Sequence, residues 1–157
     1  MGASLSPLPA PPPIPDGLAI HRVSSPDLDA HWLRAMVEGF GLSEVVAALL
    51  SEAAATMGHG PEATWIRFAG LMDGRPVGSA GLRVGAGVAG VYNVATPPDQ
   101  RRRGIGAAMS FAAMRAAHDL GYEIALLGAS PLGRGVYERL GFRDVCVVKE
   151  YTAPGSV

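Results

Sequence analysis

The chain has 157 residues, 48% of them hydrophobic, and a formal net charge of −1 at pH 7. This is enough for one domain with a hydrophobic core, and the near-zero charge excludes a global basic field for nucleic acid. One cysteine excludes an internal disulfide framework, and four scattered histidines lack the spacing of a zinc site. No apolar run has membrane-spanning length and the N-terminus lacks a signal-peptide core. We therefore expect a cytoplasmic protein with no metal, membrane or nucleic-acid partner.

Prolines crowd the first 16 residues, from Pro7 to Pro15. Such a segment favours extended polyproline II structure and does not build a core. We therefore predict a disordered tail over 1–16, a single domain over 17–152 and a short tail over 153–157.

Alternating polarity and helix-start signals divide the rest of the chain into strands and helices. Ser25 followed by Pro26 predicts a helix N-terminus, and a strand–helix–strand unit around the long helix predicts a parallel strand pair. The predicted strands cover 18–23, 63–72, 75–84, a stretch ending at 96, 122–128 and 142–151. The predicted helices cover 25–38, 43–57, 104–120 and 131–140.

One junction between a strand and a helix has the composition of an anion site. Pro97 and Pro98 end the strand because proline has no backbone donor. Three arginines follow, and then Gly104 and Gly106 begin a helix with one apolar face. The first N–H groups of a helix have no partner inside it, and glycines let a phosphate oxygen come close to them. The junction therefore predicts a ligand with a di- or polyphosphate group.

Two common phosphate-binding motifs do not fit this junction. The only lysine is Lys149, so there is no Walker loop, and Met109 occupies the third small position of a dinucleotide fingerprint. The remaining pattern, Arg101-x-x-Gly104-x-Gly106, resembles the acyl-CoA signature of the GCN5-related N-acetyltransferases. That resemblance implies an α/β (α+β) fold with a mixed, mostly antiparallel central sheet, a splayed parallel strand pair and flanking helices.

A second stretch is similar to the same family. Tyr137 to Phe142 matches the pattern Tyr-x-x-x-Gly-Phe, in which the tyrosine lies near the sulfur of coenzyme A. A phenol of pKa about 10 is still protonated at neutral pH, so it can protonate a thiolate leaving group; the alternative is a tyrosine used only for packing. Ser130 stands where many relatives carry asparagine. It either contacts the cofactor or caps the next helix.

The resemblance also implies where acetyl-CoA and its acceptor bind. The Val94 amide would donate to the thioester oxygen, and Phe40, Tyr92 and Asn93 would line the acceptor pocket. The alternative is that Tyr92 and Asn93 are surface or sheet-face residues and that Phe40 belongs to the core. The implied cofactor-binding residues are Val94, Ala95, Thr96, Arg101, Arg102, Arg103, Gly104, Ile105, Gly106, Ala107, Ser130 and Tyr137.

No general base is evident, since Glu38 is a weak candidate and His59 and Glu123 are weaker. The leading hypothesis is an acetyl-CoA-dependent N-acetyltransferase that acts by direct transfer on a small-molecule or peptide amine. The alternative is a non-catalytic acyl-CoA-binding module of the same fold, and an arginine-loop nucleic-acid binder ranks last. A homodimer is an expectation taken from the family alone.

Overall fold

A computed structural model describes residues 1–56, 58, 65–149 and 151. The elements in chain order are β1 (Gly2–Ser4), β2 (Ala19–Arg22), α1 (Pro26–Phe40), α2 (Glu44–Thr56), β3 (Trp65–Met72), β4 (Arg75–Gly85), β5 (Val88–Ala95), a 3₁₀ turn (Pro98–Gln100), α3 (Ile105–Asp119), β6 (Ile124–Leu126) and α4 (Arg134–Arg139). The six strands form one sheet in the order β1-β6-β5-β4-β3-β2, in which only the β5–β6 pair is parallel. The predicted mixed sheet with flanking helices is confirmed.

Helices cover the two faces of the sheet. Helix α3 packs against β3, β4 and β5 on one face, where the larger core is built around Leu82, Met109 and Met114. Helix α1 packs on the other face, where Trp32 and Met36 contact Ala69. The helix start predicted at Ser25 and Pro26 is confirmed for α1, because the Ser25 hydroxyl accepts a hydrogen bond from the Leu28 amide.

A buried ion pair ties α1 and α2 to the sheet. The guanidinium of Arg67 in β3 is 2% exposed and lies 3.3 Å from a carboxylate oxygen of Asp29 in α1. Its other nitrogens donate to the carbonyls of Ala54 and Gly58, and it lies over the ring of Trp32. One side chain therefore fixes both helices against the same strand.

The N-terminus departs from the prediction of a disordered tail. Gly2–Ser4 pair antiparallel with β6, and Leu5 is fully buried. The segment then reaches the start of α3, where Pro13 and Pro15 lie beside Gly104. The prediction for 1–16 was therefore wrong over its first five residues, because an open sheet edge gives even a Gly-Ala-Ser sequence its backbone partners.

The C-terminal prediction was wrong for the complementary reason. The strand expected over 142–151 is absent from the described part of that stretch, where only Arg143 pairs, with Gly2. The edge of β6 that it would need is occupied by β1. Val145, Val147 and Val148 are consequently exposed. Met57, His59 and Glu150 and the predicted tail over 153–157 lie outside the described residues.

We predict that Asp29→Ala lowers the free energy of unfolding by about 3–5 kcal/mol, because it leaves the Arg67 charge buried without its carboxylate. Urea denaturation monitored by circular dichroism measures this change. The matched control is Asp119→Ala, which removes an exposed partner of Arg115 and should change stability by less than about 0.5 kcal/mol. Equal effects of the two substitutions would contradict the role of the buried pair.

Candidate functional site

The pairing between β5 and β6 is short. These strands pair in parallel at only two positions, Ala89 with Ala125 and Gly90 with Leu126. Beyond Gly90 the described residues give β5 no partner on this side, and we call this unpaired side of β5 the gap. The unpaired part of β5 contains a bulge, because β5 has two residues between Tyr92 and Ala95 where β4 has one between Gly81 and Ser79. Asn93 at the bulge has a left-handed backbone with φ of 51°, and such a bulge bends a strand and increases its twist.

A buried hydroxyl holds this bulge in place. Ser79 is fully buried, and its hydroxyl donates to the Asn93 carbonyl at 2.8 Å. Asn93 is one of the residues predicted to line the acceptor pocket. Its carbonyl is bonded to Ser79, so its main chain is held in place at the bulge. Sequence reasoning missed Ser79, since a serine within a strand gives no signal of what its hydroxyl contacts.

The predicted anion site is the N-terminus of α3. Gly104 precedes the helix with φ of 84°, and no side chain caps this end. The amides of Ile105, Gly106 and Ala107 therefore have no acceptor within the helix. Arg102 also has a left-handed backbone, with φ of 62°, and alternation of this kind turns successive amides into a concave anion-binding surface.

The three arginines of this loop have different roles. Arg101 bonds to main-chain carbonyls, donating from Nη2 to Gly39 at 2.8 Å and from Nε to Thr96 at 3.2 Å. Arg103 donates to the side chain of Gln100. Arg102 makes no hydrogen bond or ion pair to any residue that the structure describes. All three arginines were expected among the cofactor-binding residues, whereas in the structure Arg101 connects the loop to the end of α1.

The end of α1 contacts the end of β5 at Gly39. A Cβ at this position would lie 2.7 Å from the Ala95 Cβ and 3.0 Å from the Thr96 amide nitrogen. Only glycine allows the two elements to approach this closely. The predicted cofactor residues Ala95 and Thr96 are thus held between α1 and α3, because the Thr96 hydroxyl also faces Gly106.

Tyr137 lies on α4 with its ring held on both sides. A Cβ at Gly133 would approach the ring to 2.9 Å, and Phe142 contacts it edge-on with ring centroids 6.0 Å apart. Burial raises the pKa of the Tyr137 phenol, so the group stays protonated over a wider pH range. No described residue forms a hydrogen bond to its hydroxyl. This environment suits a proton donor.

Ser130 caps the turn before α4. Its hydroxyl accepts from the Gly133 amide at 3.2 Å, and its carbonyl accepts from the Arg134 amide at 3.0 Å. Of the two interpretations of this serine, the geometry supports capping. The cap fixes the start of the helix that carries Tyr137.

The candidate bases lie in different places. Glu38 is paired with Arg34 at 2.7 Å and lines a charged cleft of about 420 Å³ with Asp99 and Arg103. Glu123 is at the start of β6, at the far end from the gap. His59 is outside the described residues. Glu38 is thus engaged with Arg34 at this cleft, and Glu123 lies away from the gap.

The predicted acceptor residues are accessible on the surface. Phe40 and Tyr92 are 52% and 49% exposed, as a pocket wall open to solvent requires. Tyr92 is two residues beyond Gly90, the last residue of β5 that pairs with β6. It therefore lies at the level where the gap opens.

Comparison with a family model decides the identity of this arrangement. The model described as an acetyltransferase (GNAT) domain matches residues 62–144, more than half of the chain. The chain belongs to the GNAT acetyltransferase family. The family expected from the two motifs is therefore confirmed. No protein of curated function matches this GNAT chain in sequence.

Solved structures share the fold. A GCN5-related N-acetyltransferase from Kribbella flavida is 24% identical with a TM-score of 0.67 and matches 90% of this chain, which spans only 52% of that protein. An acetyltransferase from Clostridium acetobutylicum, solved with acetyl-CoA, is 17% identical over 86% of this chain and 96% of its own length, with a TM-score of 0.65. The aminoglycoside acetyltransferase HMB0005 from a soil metagenome is 18% identical over 87% and 98%, with a TM-score of 0.71.

Within the described residues, every helix is too short or too polar to span a bilayer.

We predict that Gly104→Glu raises the dissociation constant for acetyl-CoA by at least about 100-fold, because it adds negative charge and a strained backbone to the anion site. Isothermal titration calorimetry measures the affinity. Gly121→Glu is the matched control, since Gly121 has φ of 85° but lies past the other end of α3. Similar affinities for the two variants would refute the assignment of the loop.

Proposed function

We propose that this GNAT protein transfers the acetyl group of acetyl-CoA directly to a primary amine. The observation that carries the proposal is the uncapped N-terminus of α3 beside the gap between β5 and β6. The anion site and the gap lie at the same end of the sheet. Together they suit a long ligand that carries a pyrophosphate at one end. Acetyl-CoA has this form.

The cofactor residues divide between the two parts of that ligand. The amides of residues 104–107 and the uncommitted Arg102 guanidinium serve the pyrophosphate. The main chain of Val94, Ala95 and Thr96 serves the pantetheine, because these residues follow the bulge on the strand that borders the gap. The Val94 amide donates to the thioester oxygen, where negative charge develops during attack by the amine.

Tyr137 acts as the general acid in this proposal. The amine nitrogen forms a bond to the thioester carbon, the carbon–sulfur bond breaks, and the Tyr137 hydroxyl gives its proton to the departing thiolate. The acceptor nitrogen loses its proton to water, since Glu38 is paired with Arg34 and Glu123 lies at the other end of β6. The raised pKa of Tyr137 keeps the proton available at neutral pH.

We predict that Tyr137→Phe lowers kcat by about 10²–10⁴-fold and changes the affinity for acetyl-CoA by less than about threefold, because phenylalanine keeps the packing and removes only the proton. Thiol release with a panel of amines measures kcat. Tyr122→Phe is the control, since Tyr122 is a partly buried tyrosine packed on the core. An unchanged kcat in Tyr137→Phe would remove the acid role.

The pH dependence gives an independent check. Tyr137 donates only when protonated, so activity that depends on it is present below its pKa and lost above it. Because burial raises this pKa, we expect the alkaline fall in kcat to lie above the ordinary range of tyrosine, and we expect Tyr137→Phe to lack that limb. Tight binding of acetyl-CoA without turnover on any amine would instead identify a non-catalytic acyl-CoA-binding module.

A further inference from the structure

Two aromatic rings lie over the main chain of the sheet, on the face that α1 covers only in part, and one of them, Tyr92, is on the strand that borders the gap. Trp65 pairs with Arg83, and Tyr92 pairs with Gly81, so these side chains share one face of the sheet. The ring centroids of Trp65 and Tyr92 are 6.3 Å apart. Together with the guanidinium of Arg83, which lies 5.6 Å from the Trp65 ring centroid, they form what we call the aromatic platform.

Two glycines make this platform possible. A Cβ at Gly81 would lie 2.9 Å from the indole nitrogen of Trp65, and a Cβ at Gly90 would lie 2.4 Å from the Tyr92 ring. Both rings therefore rest directly on the main chain of β4 and β5. Tyr92 and Arg83 are nevertheless exposed, so they are available to a ligand.

The charge of the platform is positive and unpaired. The described strands carry one other arginine on this face, Arg67, and that charge is already matched by Asp29. Arg83 forms no ion pair with any residue that the structure describes. Among the described strand residues that share this face there is no Asp or Glu. A polycationic acceptor would find no carboxylate on these strands.

The face of the sheet on which the cofactor lies determines the face from which the acceptor amine approaches. Helix α3 and its anion loop serve the opposite face, where the larger core lies. In direct transfer the amine approaches the thioester from the side that the cofactor leaves open. With the pyrophosphate on the α3 side, as proposed above, the open side carries Trp65, Arg83 and Tyr92.

We infer that the aromatic platform is the acceptor subsite and selects a primary amine that carries both a carboxylate and a planar apolar group. Arg83 binds the carboxylate with its two parallel donors, an arrangement that favours carboxylates geometrically. Tyr92 supplies an exposed ring against which the planar group stacks. The cation–π contact with Trp65 holds the guanidinium in place without neutralising it. This inference rests on the proposed acetyl transfer.

The catalytic test compares three amines that share one ring: phenylalanine, phenylalaninamide and phenethylamine. We expect kcat/KM for phenylalanine to exceed those for the other two by at least about tenfold, as a hydrogen bond to a charged group implies. Arg83→Gln should remove this preference, while Arg115→Gln, which removes an exposed arginine on α3, should keep it. Turnover without a preference for the carboxylate, or a preference that survives Arg83→Gln, would overturn the inference and leave the proposed function intact.

A binding test does not depend on turnover. The chain has two tryptophans, and Trp32 is buried with its indole bonded to the Ala80 carbonyl, so ligand-induced changes in fluorescence report on Trp65. We expect 3-phenylpropionate, which has no amine, to change this fluorescence at a concentration at least about tenfold lower than 3-phenylpropanamide does. Equal midpoints for the two probes, or no signal from either, would overturn the subsite even where acetyl-CoA binds normally.

Discussion

The hydrogen bond from the buried Ser79 hydroxyl to the Asn93 carbonyl is the interaction on which the site depends. It stabilises a bulge in β5 that leaves one residue of that strand unmatched against β4. The last parallel pair, Gly90 with Leu126, comes two residues before this bulge, and the gap begins there. The proposed cofactor site and the aromatic platform both border this bulge.

The elements around the gap are positioned by contacts made at a distance from it. Arg67 and Asp29 fix α1 against β3, and the far end of α1 then contacts β5 through Gly39. Arg101 adds two bonds between the anion loop and the same region. Buried ion pairs contribute little net stability against an apolar replacement, although breaking one is costly. Here the ion pair and the Arg101 bonds hold α1, β5 and the anion loop in one relative arrangement.

The two ends of the chain show how topology overrides local propensity. Residues 145–148 are rich in valine, which favours strands, while Gly2–Ser4 are poor strand formers. The structure nevertheless pairs Gly2–Ser4 with β6 and leaves the valines exposed. β-propensity measures how well a side chain fits a half-buried sheet surface, and it does not determine which segment reaches the edge. The proline-rich segment that follows β1 also comes beside Gly104, so the N-terminus borders the anion loop.

The sequence by itself determined the family, the order of most elements and the uncapped helix start at Gly104. The family came from the resemblance of two motifs to known signatures, whereas the strand end and the helix start follow from local chemistry: prolines without a backbone donor and glycines without Cβ. Only the tertiary structure decided the rest. The role of Arg101, the position of Glu38 and the platform of Trp65, Arg83 and Tyr92 depend on residues far apart in sequence. Their contacts arise when strands pair in a particular register, and register is set by packing over the whole sheet rather than by any short motif.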